Sequence, residues 1–241
     1  MNYLKSTIFY LVAINVIVFS LAFLLKVDVM SRLALYYPQN PSFSIWQILT
    51  HFFLHAGIAH ILFNMYGLWA FGSPLQKRWG NLRFLTFFFA TGLGAALIYT
   101  LANYYQFNVI FDELLVLGLS TESIQQVLDT GKVSTNLLDV LSEERLREFI
   151  SIYHRPAVGA SGAIYGVLVA YAVMNPNAKL MLVLFPFPIK AMFFVPIILL
   201  GDLFFGITRY SVGNVAHFAH IGGAITGAVI MLWLHFKQEK K

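Results

Sequence analysis

The stretch "GASGAIYG", residues 159–166, decides how the rest of the chain is read. A serine in Gly-x-Ser-x-Gly form marks many hydrolases, where it sits on a sharp turn between a strand and a helix. Here the motif runs directly into "VLVAYAVM", residues 167–174, which carries no charge. Read as the start of a helix, the stretch places Ser161 in the first turn and Tyr165 one turn deeper on the same face.

Composition explains the setting. Of 241 residues, 59% are hydrophobic and only 11% charged, against about 25% charged in soluble domains. Apolar runs at about 6–25, 57–75, 84–104, 157–174, 191–208 and 213–235 each approach the ~20 residues that cross a bilayer as helix. Lipid offers no hydrogen bonds to the backbone, so runs of this length must be helical. The expected fold is an all-α polytopic membrane protein with six transmembrane helices and one membrane domain spanning 1–241. The first run is too long for a signal peptide and reads as an anchor. Residues 175–190, "NPNAKLMLVLFPFPIK", contain too many prolines for a continuous helix and read as a turn with an interfacial segment.

Charge sets the expected orientation. The formal net charge is +5, yet residues 105–156 hold eight acids against four bases, so that the remainder carries +9. With the N-terminus inside, Lys5, Lys77, Arg78, Arg83, Lys179, Lys190, Lys237, Lys240 and Lys241 fall in cytoplasmic segments. Lys26, Arg32 and Arg209 fall in the short outer loops. Both termini are thus expected in the cytoplasm, with a bacterial inner (cell) membrane as the expected location. The positive charge reads as membrane orientation, and no nucleic-acid partner is expected. Cysteine is absent, which excludes disulfides and thiolate metal sites.

The segment 105–156 reads as a folded extramembrane insert between the third and fourth helices. In "LSEERLREFISIY", residues 141–153, Ser142 is an N-cap and Glu143 and Glu144 suit the helix dipole. Leu146, Phe149, Ile150 and Tyr153 recur at amphipathic spacing. A shorter helix runs from Ser120 to Gly131.

Polar side chains inside apolar helices are costly and mark sites. In "HFFLHAGIAHILFNMYGLWAFG", residues 51–72, His60 and Asn64 share one face. His51 and His55 have the spacing of a zinc pair but lack the glutamate of His-Glu-x-x-His, so no metal is expected. In "NVAHFAHIGGAITG", residues 214–227, His217 and His220 lie three apart, and Gly223 and Gly227 continue the stripe of His220. A Gly-x-x-x-Gly stripe permits close helix approach. The serine helix is equally small at Gly159, Ala160, Gly162 and Ala163, so the two faces are expected to pack, bringing His220 to Ser161. A serine needs a base to become a nucleophile. The oxyanion of an acyl transfer needs donors, which His60, Asn64 and the Ser161 amide can supply. Asp202, in "IILLGDLFFGI", completes a hydrolase-like chain order, but a soluble hydrolase fold is excluded. The expectation is a Ser161–His220 dyad without a third acid, the imidazole oriented by packing on Tyr165.

These three motifs, in this order, resemble those of the rhomboid family of intramembrane serine proteases. The resemblance covers nearly all of the chain outside the insert. It implies the nucleophile at Ser161, the general base at His220, the oxyanion hole at His60 and Asn64 with the Ser161 amide, and close packing through Gly223 and Gly227. Tyr165 matches the aromatic residue stacked on the base. It also implies a six-helix bundle with a water-filled cavity open to the outside, and cleavage of transmembrane protein substrates, anchored in the lipid bilayer, near the top of their helices; no cofactor is expected. Where many members carry Trp-Arg in the first loop, this chain has Trp46-Gln47. A catalytically inactive relative that binds membrane proteins is the second reading, and a transporter the third. An aspartyl protease built on Asp202 lacks a second intramembrane aspartate.

Overall fold

A computed structural model describes residues 6–25, 28–131, 141–182, 185–208 and 216–239. The basic residues Lys5, Lys26, Arg209, Lys240 and Lys241 and the insert segment 132–140 lie outside the described residues. The main helices are α1 (Thr7–Leu25), α2 (Ile58–Trp79), α3 (Asn81–Val116), α4 (Thr121–Thr130), α5 (Glu143–His154), α6 (Ser161–Met174), α7 (Ala191–Ile207) and α8 (His217–Glu239). Among the described residues, α1, α3 and α8 are long and apolar enough to cross a membrane. The short helical segment Gln47–Phe53 and α2 meet the same criterion only when taken together across a 95° bend, and α6 and α7 are apolar but shorter. The chain is an all-α polytopic membrane protein.

Its surface is built for lipid. Leu24, Trp69, Leu97 and Leu232 are exposed, whereas Asn15, Asn64, Gln76, Thr91 and His220 are buried. In hydrocarbon the apolar side chains gain nothing by leaving the surface, and polar groups gain by meeting one another inside.

The serine helix α6 is central. Nine of its fourteen residues are buried, and it packs against α2, α3, α7 and α8. Being sheathed by protein, it has no need to span the hydrocarbon alone. Its contact with α8 is made by backbone. A Cβ on Gly223 would overlap the carbonyl oxygen of Gly162, and one on Gly227 would lie 2.8 Å from Gly166 Cα. A Cβ on Gly166 would lie 2.5 Å from Thr91 Cβ of α3 and 2.9 Å from the Gly223 carbonyl oxygen. There the Thr91 hydroxyl reaches the carbonyl oxygens of Phe87 and Phe88, both at 3.0 Å, and that of Ala163 on α6 at 3.3 Å.

Two elements depart from expectation. Within residues 175–190, read as a turn with an interfacial segment, two strands form: β1 (Lys179–Leu182) pairs antiparallel with β2 (Phe185–Lys190), Lys179 opposite Lys190. Pro186 and Pro188 are two apart, so their missing N–H groups fall on one strand edge, which a two-stranded hairpin can leave open. The third helix also continues well past residue 104, to Val116, so the insert begins as helix.

The insert's caps are as expected. The Ser123 amide donates to Ser120 Oγ at 3.2 Å, the Arg145 amide donates to Ser142 Oγ at 3.3 Å, and Gly131 ends α4 in the left-handed region at φ +64°. Glu122, in the first turn of α4, is held below the usual carboxylate range by its own backbone N–H and then by the Ser120 hydroxyl. The apolar face of α5 is covered by protein. Leu146, Phe149 and Tyr153 join Phe107 and Ile110 of α3 and Tyr37 of the first loop in one core. Asn40 Nδ2 donates to the Tyr153 carbonyl at 2.8 Å, and Leu35 bridges Ala157 through two backbone hydrogen bonds. The first loop and the insert are one packed unit.

Gln47 anchors that loop. Its side chain is fully buried, accepts from the Tyr36 amide at 3.3 Å, and donates to the carbonyls of Ser42 at 2.7 Å and Arg32 at 3.3 Å. Trp46 Nε1 also donates to the Arg32 carbonyl, at 3.0 Å.

The glycine contact predicts a measurable cost. Gly223→Ala drives a methyl onto a backbone carbonyl that has no rotamer to change, so thermal unfolding in detergent should show a loss of roughly 1–3 kcal/mol or more. Gly57→Ala, whose added Cβ would meet nothing within 4 Å, should be close to neutral. Equal stability of the two variants would contradict the packing.

Candidate active site

The bundle brings the start of α2, the start of α6, the start of α8 and the end of α7 to one level. Alternating helices enter from the same side, which is why motifs far apart in sequence meet there. Ser161 is the first residue of α6. Its backbone N–H has no carbonyl four residues back within the helix and stays available.

His220, in the first turn of α8, is 9% exposed. Its Nε2 lies 2.9 Å from Ser161 Oγ. The Tyr165 ring stacks on the imidazole, with centroids 4.1 Å apart and planes 8° from parallel. The small faces carrying Ser161 and His220 are therefore in contact, through Gly162 and Gly223.

The expectation that no acid accompanies the pair is corrected. His220 Nδ1 lies 3.0 Å from Asp202 Oδ1, and His217 Nδ1 lies 2.6 Å from the same oxygen. Asp202 is buried and is the one charged residue of α7. The sequence signal was present: a lone acid in an apolar helix has to be matched by a partner. What the sequence did not give was the rotation of α7 that turns Asp202 toward α8.

His60 and Asn64 face the residue two before the serine. His60 Nδ1 accepts from the Ala56 amide at 3.3 Å, so in the neutral ring Nε2 carries the proton and is a donor. A Cβ on Gly159 would lie 2.8 Å from that Nε2 and 3.8 Å from Asn64 Nδ2. Gly159 has φ +113°, a conformation side chains rarely adopt, and donates to the His51 carbonyl at 2.9 Å. Asn64 Nδ2 also donates to the His60 carbonyl at 2.9 Å.

A cavity of about 1310 Å³ joins these groups; His60, Asn64, Ser161, Tyr165, His217 and His220 all line it. Its wall also includes Arg145 and Glu148 of α5 and Arg155 just after it.

The remaining histidines have other surroundings. His51 Nδ1 lies 2.7 Å from the Gln47 carbonyl, and the His55 ring packs edge-on against His60 at 5.0 Å. Asp202, His217 and His220 each offer one ligand atom, all within 4.8 Å of one another. That is close enough to receive a metal ion, although mutual hydrogen bonds already engage the same atoms.

Fold and site together define a helical membrane protein with a serine–histidine pair facing a cavity inside the bundle. Residues 42–237 match the Rhomboid domain, and the chain belongs to that family. It is 28% identical over 184 residues to the rhomboid protease GluP of Bacillus subtilis (strain 168), covering 76% of this chain and 24% of that protein. It is 23% identical over 239 residues to the mitochondrial Rhomboid protein 1 of Saccharomyces cerevisiae, covering 98% of this chain and 56% of that one. Over 57 residues it is 40% identical to the rhomboid protease GlpG of Yersinia pestis, covering 24% and 20%. The chain thus spans less than two thirds of the length of each of these relatives.

Gly159→Ala tests the local geometry. Forcing a side chain into this φ should cost about 1–3 kcal/mol in thermal stability, and the methyl should displace the His60 ring. The expected readout is a shift of the His60 ring resonances in NMR spectra of the detergent-solubilised protein. Unchanged resonances in a folded variant would contradict the contact.

Proposed function

We propose that this chain is an intramembrane serine endopeptidase that cleaves membrane-anchored proteins within or near their transmembrane segments. The observation that carries the reading is the 2.9 Å approach of His220 Nε2 to Ser161 Oγ on a cavity inside a bundle whose outer surface is apolar. The protease names of two relatives favour it as well.

The chemistry follows from the atoms. His220 Nε2 takes the Ser161 hydroxyl proton while Oγ bonds to the scissile carbonyl carbon, and the carbonyl electron pair moves onto oxygen. That oxyanion is received by the Ser161 amide, His60 Nε2–H and Asn64 Nδ2–H. The His220 imidazolium then protonates the leaving amine, the C–N bond breaks, and an acyl-serine remains. Water, activated by the same imidazole, releases it. Gly159 leaves room for the donors, Gly162, Gly223 and Gly227 set the distance between helices, Tyr165 holds the ring plane, and His217 supports the site from the first turn of α8.

We further read residues 1–241 as one membrane domain with residues 105–156 as an extramembrane insert. It sits in a bacterial inner membrane with both termini cytoplasmic and the insert outside. The partners are transmembrane protein substrates and the bilayer; no nucleic acid, cofactor or metal takes part. Because insert residues wall the cavity, they stand where a substrate enters.

Ser161→Ala and His220→Ala should each abolish cleavage of a transmembrane reporter reconstituted in vesicles, and the double variant should be no worse, since nucleophile and base act as a unit. Substantial proteolysis by Ser161→Ala would refute the assignment. Asn64→Ala should cost on the order of 3 kcal/mol of transition-state stabilisation, appearing in kcat. A change confined to KM would make Asn64 a structural partner instead. Activity should survive EDTA unchanged; inhibition reversed by added zinc would show that a metal takes part.

A further inference from the structure

Asp202 is absent from the roles above, yet it is the most costly residue in its helix. It stands in "LLGDLFFG", residues 199–206, where every neighbour is uncharged, and it is buried. A carboxylate in such a place is retained only if partners compensate it. Two imidazoles reach it, His217 Nδ1 at 2.6 Å and His220 Nδ1 at 3.0 Å, both on Oδ1, and the Tyr165 hydroxyl also hydrogen-bonds the carboxylate.

A carboxylate is an acceptor and nothing else. An imidazole nitrogen this close to it must therefore present N–H, because a bare lone pair would face a negative oxygen. For neutral His220 that choice decides the other nitrogen. With the proton on Nδ1, Nε2 is unprotonated and aims its lone pair at Ser161 Oγ, 2.9 Å away. The opposite tautomer would point an N–H at the serine, which could then surrender no proton to it. The Tyr165 stack fixes the plane of the ring, but stacking cannot tell the two ring nitrogens apart. Only the carboxylate does.

We propose that Asp202 is a positioning residue that holds His220 as the Nδ1–H tautomer and steadies the imidazolium formed when Ser161 gives up its proton. His217 anchors the carboxylate for this purpose by donating to the same oxygen. The unit is thus a serine, a histidine and an acid supplied by three different helices, α6, α8 and α7. The proposal rests on the reading of Ser161 and His220 as nucleophile and base.

The test has two arms on the full chain in bicelles. The first is structural: 15N NMR of histidine-labelled native protein should report His220 as Nδ1–H, and Asp202→Asn should shift it toward Nε2–H. The second is kinetic: Asp202→Asn should lower kcat on a transmembrane reporter by about 100-fold or more, with KM within about twofold, as expected for a lost tautomer. An Nε2–H tautomer in the native protein, metal-bound or free, would overturn the proposal, and this arm needs no variant to fold. So would a folded Asp202→Asn protein with native kcat. Proteolysis persisting in Ser161→Ala would instead overturn the function itself, and would leave the tautomer assignment to stand or fall on the spectrum.

Discussion

The backbone contact between α6 and α8 is the constraint on which the rest depends. Gly223 leaves no space for even a methyl above the Gly162 carbonyl, so the two helices approach as closely as backbone allows. Three residues before Gly223 is His220, and one before Gly162 is Ser161. A hydrogen-bond distance between two short side chains on separate helices requires such an approach. Side chains of ordinary size in the seam would hold the helices farther apart and leave the serine out of reach of its partner. In a bilayer, where apolar area gives no drive to associate, close van der Waals packing and polar contacts have to do this holding. Thr91 of α3, with its hydroxyl directed at the Ala163 carbonyl of α6, shows the same means at work.

Around this seam the polar groups are arranged by what they can exchange. Each is fixed by a backbone or side-chain partner that leaves one specific atom directed at the cavity. His60 is held at Nδ1 by the Ala56 amide and is left with Nε2 as a donor. His220 is held at Nδ1 by Asp202 and is left with Nε2 toward Ser161. Two histidines in one cavity are thus given opposite hydrogen-bonding characters by what sits behind them. Farther out, Gln47 ties three backbone segments of the first loop. That loop shares its core with α3, α4 and α5, so the wall of the cavity is braced by packing as well as by hydrogen bonds.

Much of this was legible in the sequence because lipid makes simple demands. Long uncharged runs had to be helices, and α1, α2, α3, α6, α7 and α8 begin close to where those runs begin. The stripe Gly223–Gly227 and the small residues around Ser161 announced their own packing, since nothing else explains bulk missing from a membrane helix. The caps at Ser120, Ser142 and Gly131 are local signals and read true. What was not legible depends on rotation and on distant pairing. Asp202 could be located but not aimed. The hairpin at residues 179–190 hid behind prolines, which argue against helix and say little about an open strand edge. The length of α3 was misread because its last turns leave the apolar run and are held by contacts with α5 and Tyr37 rather than by lipid.

The central claim is that helix packing turns Ser161 into a nucleophile by placing His220 upon it. The most direct measurement is mass spectrometry of the purified protein after treatment with a serine-reactive fluorophosphonate. The account predicts a single adduct, mapped to Ser161, and its loss when His220 is replaced by alanine in a protein that still unfolds cooperatively. A folded native protein that acquires no adduct, or one labelled at Ser161 equally fast without His220, would contradict it.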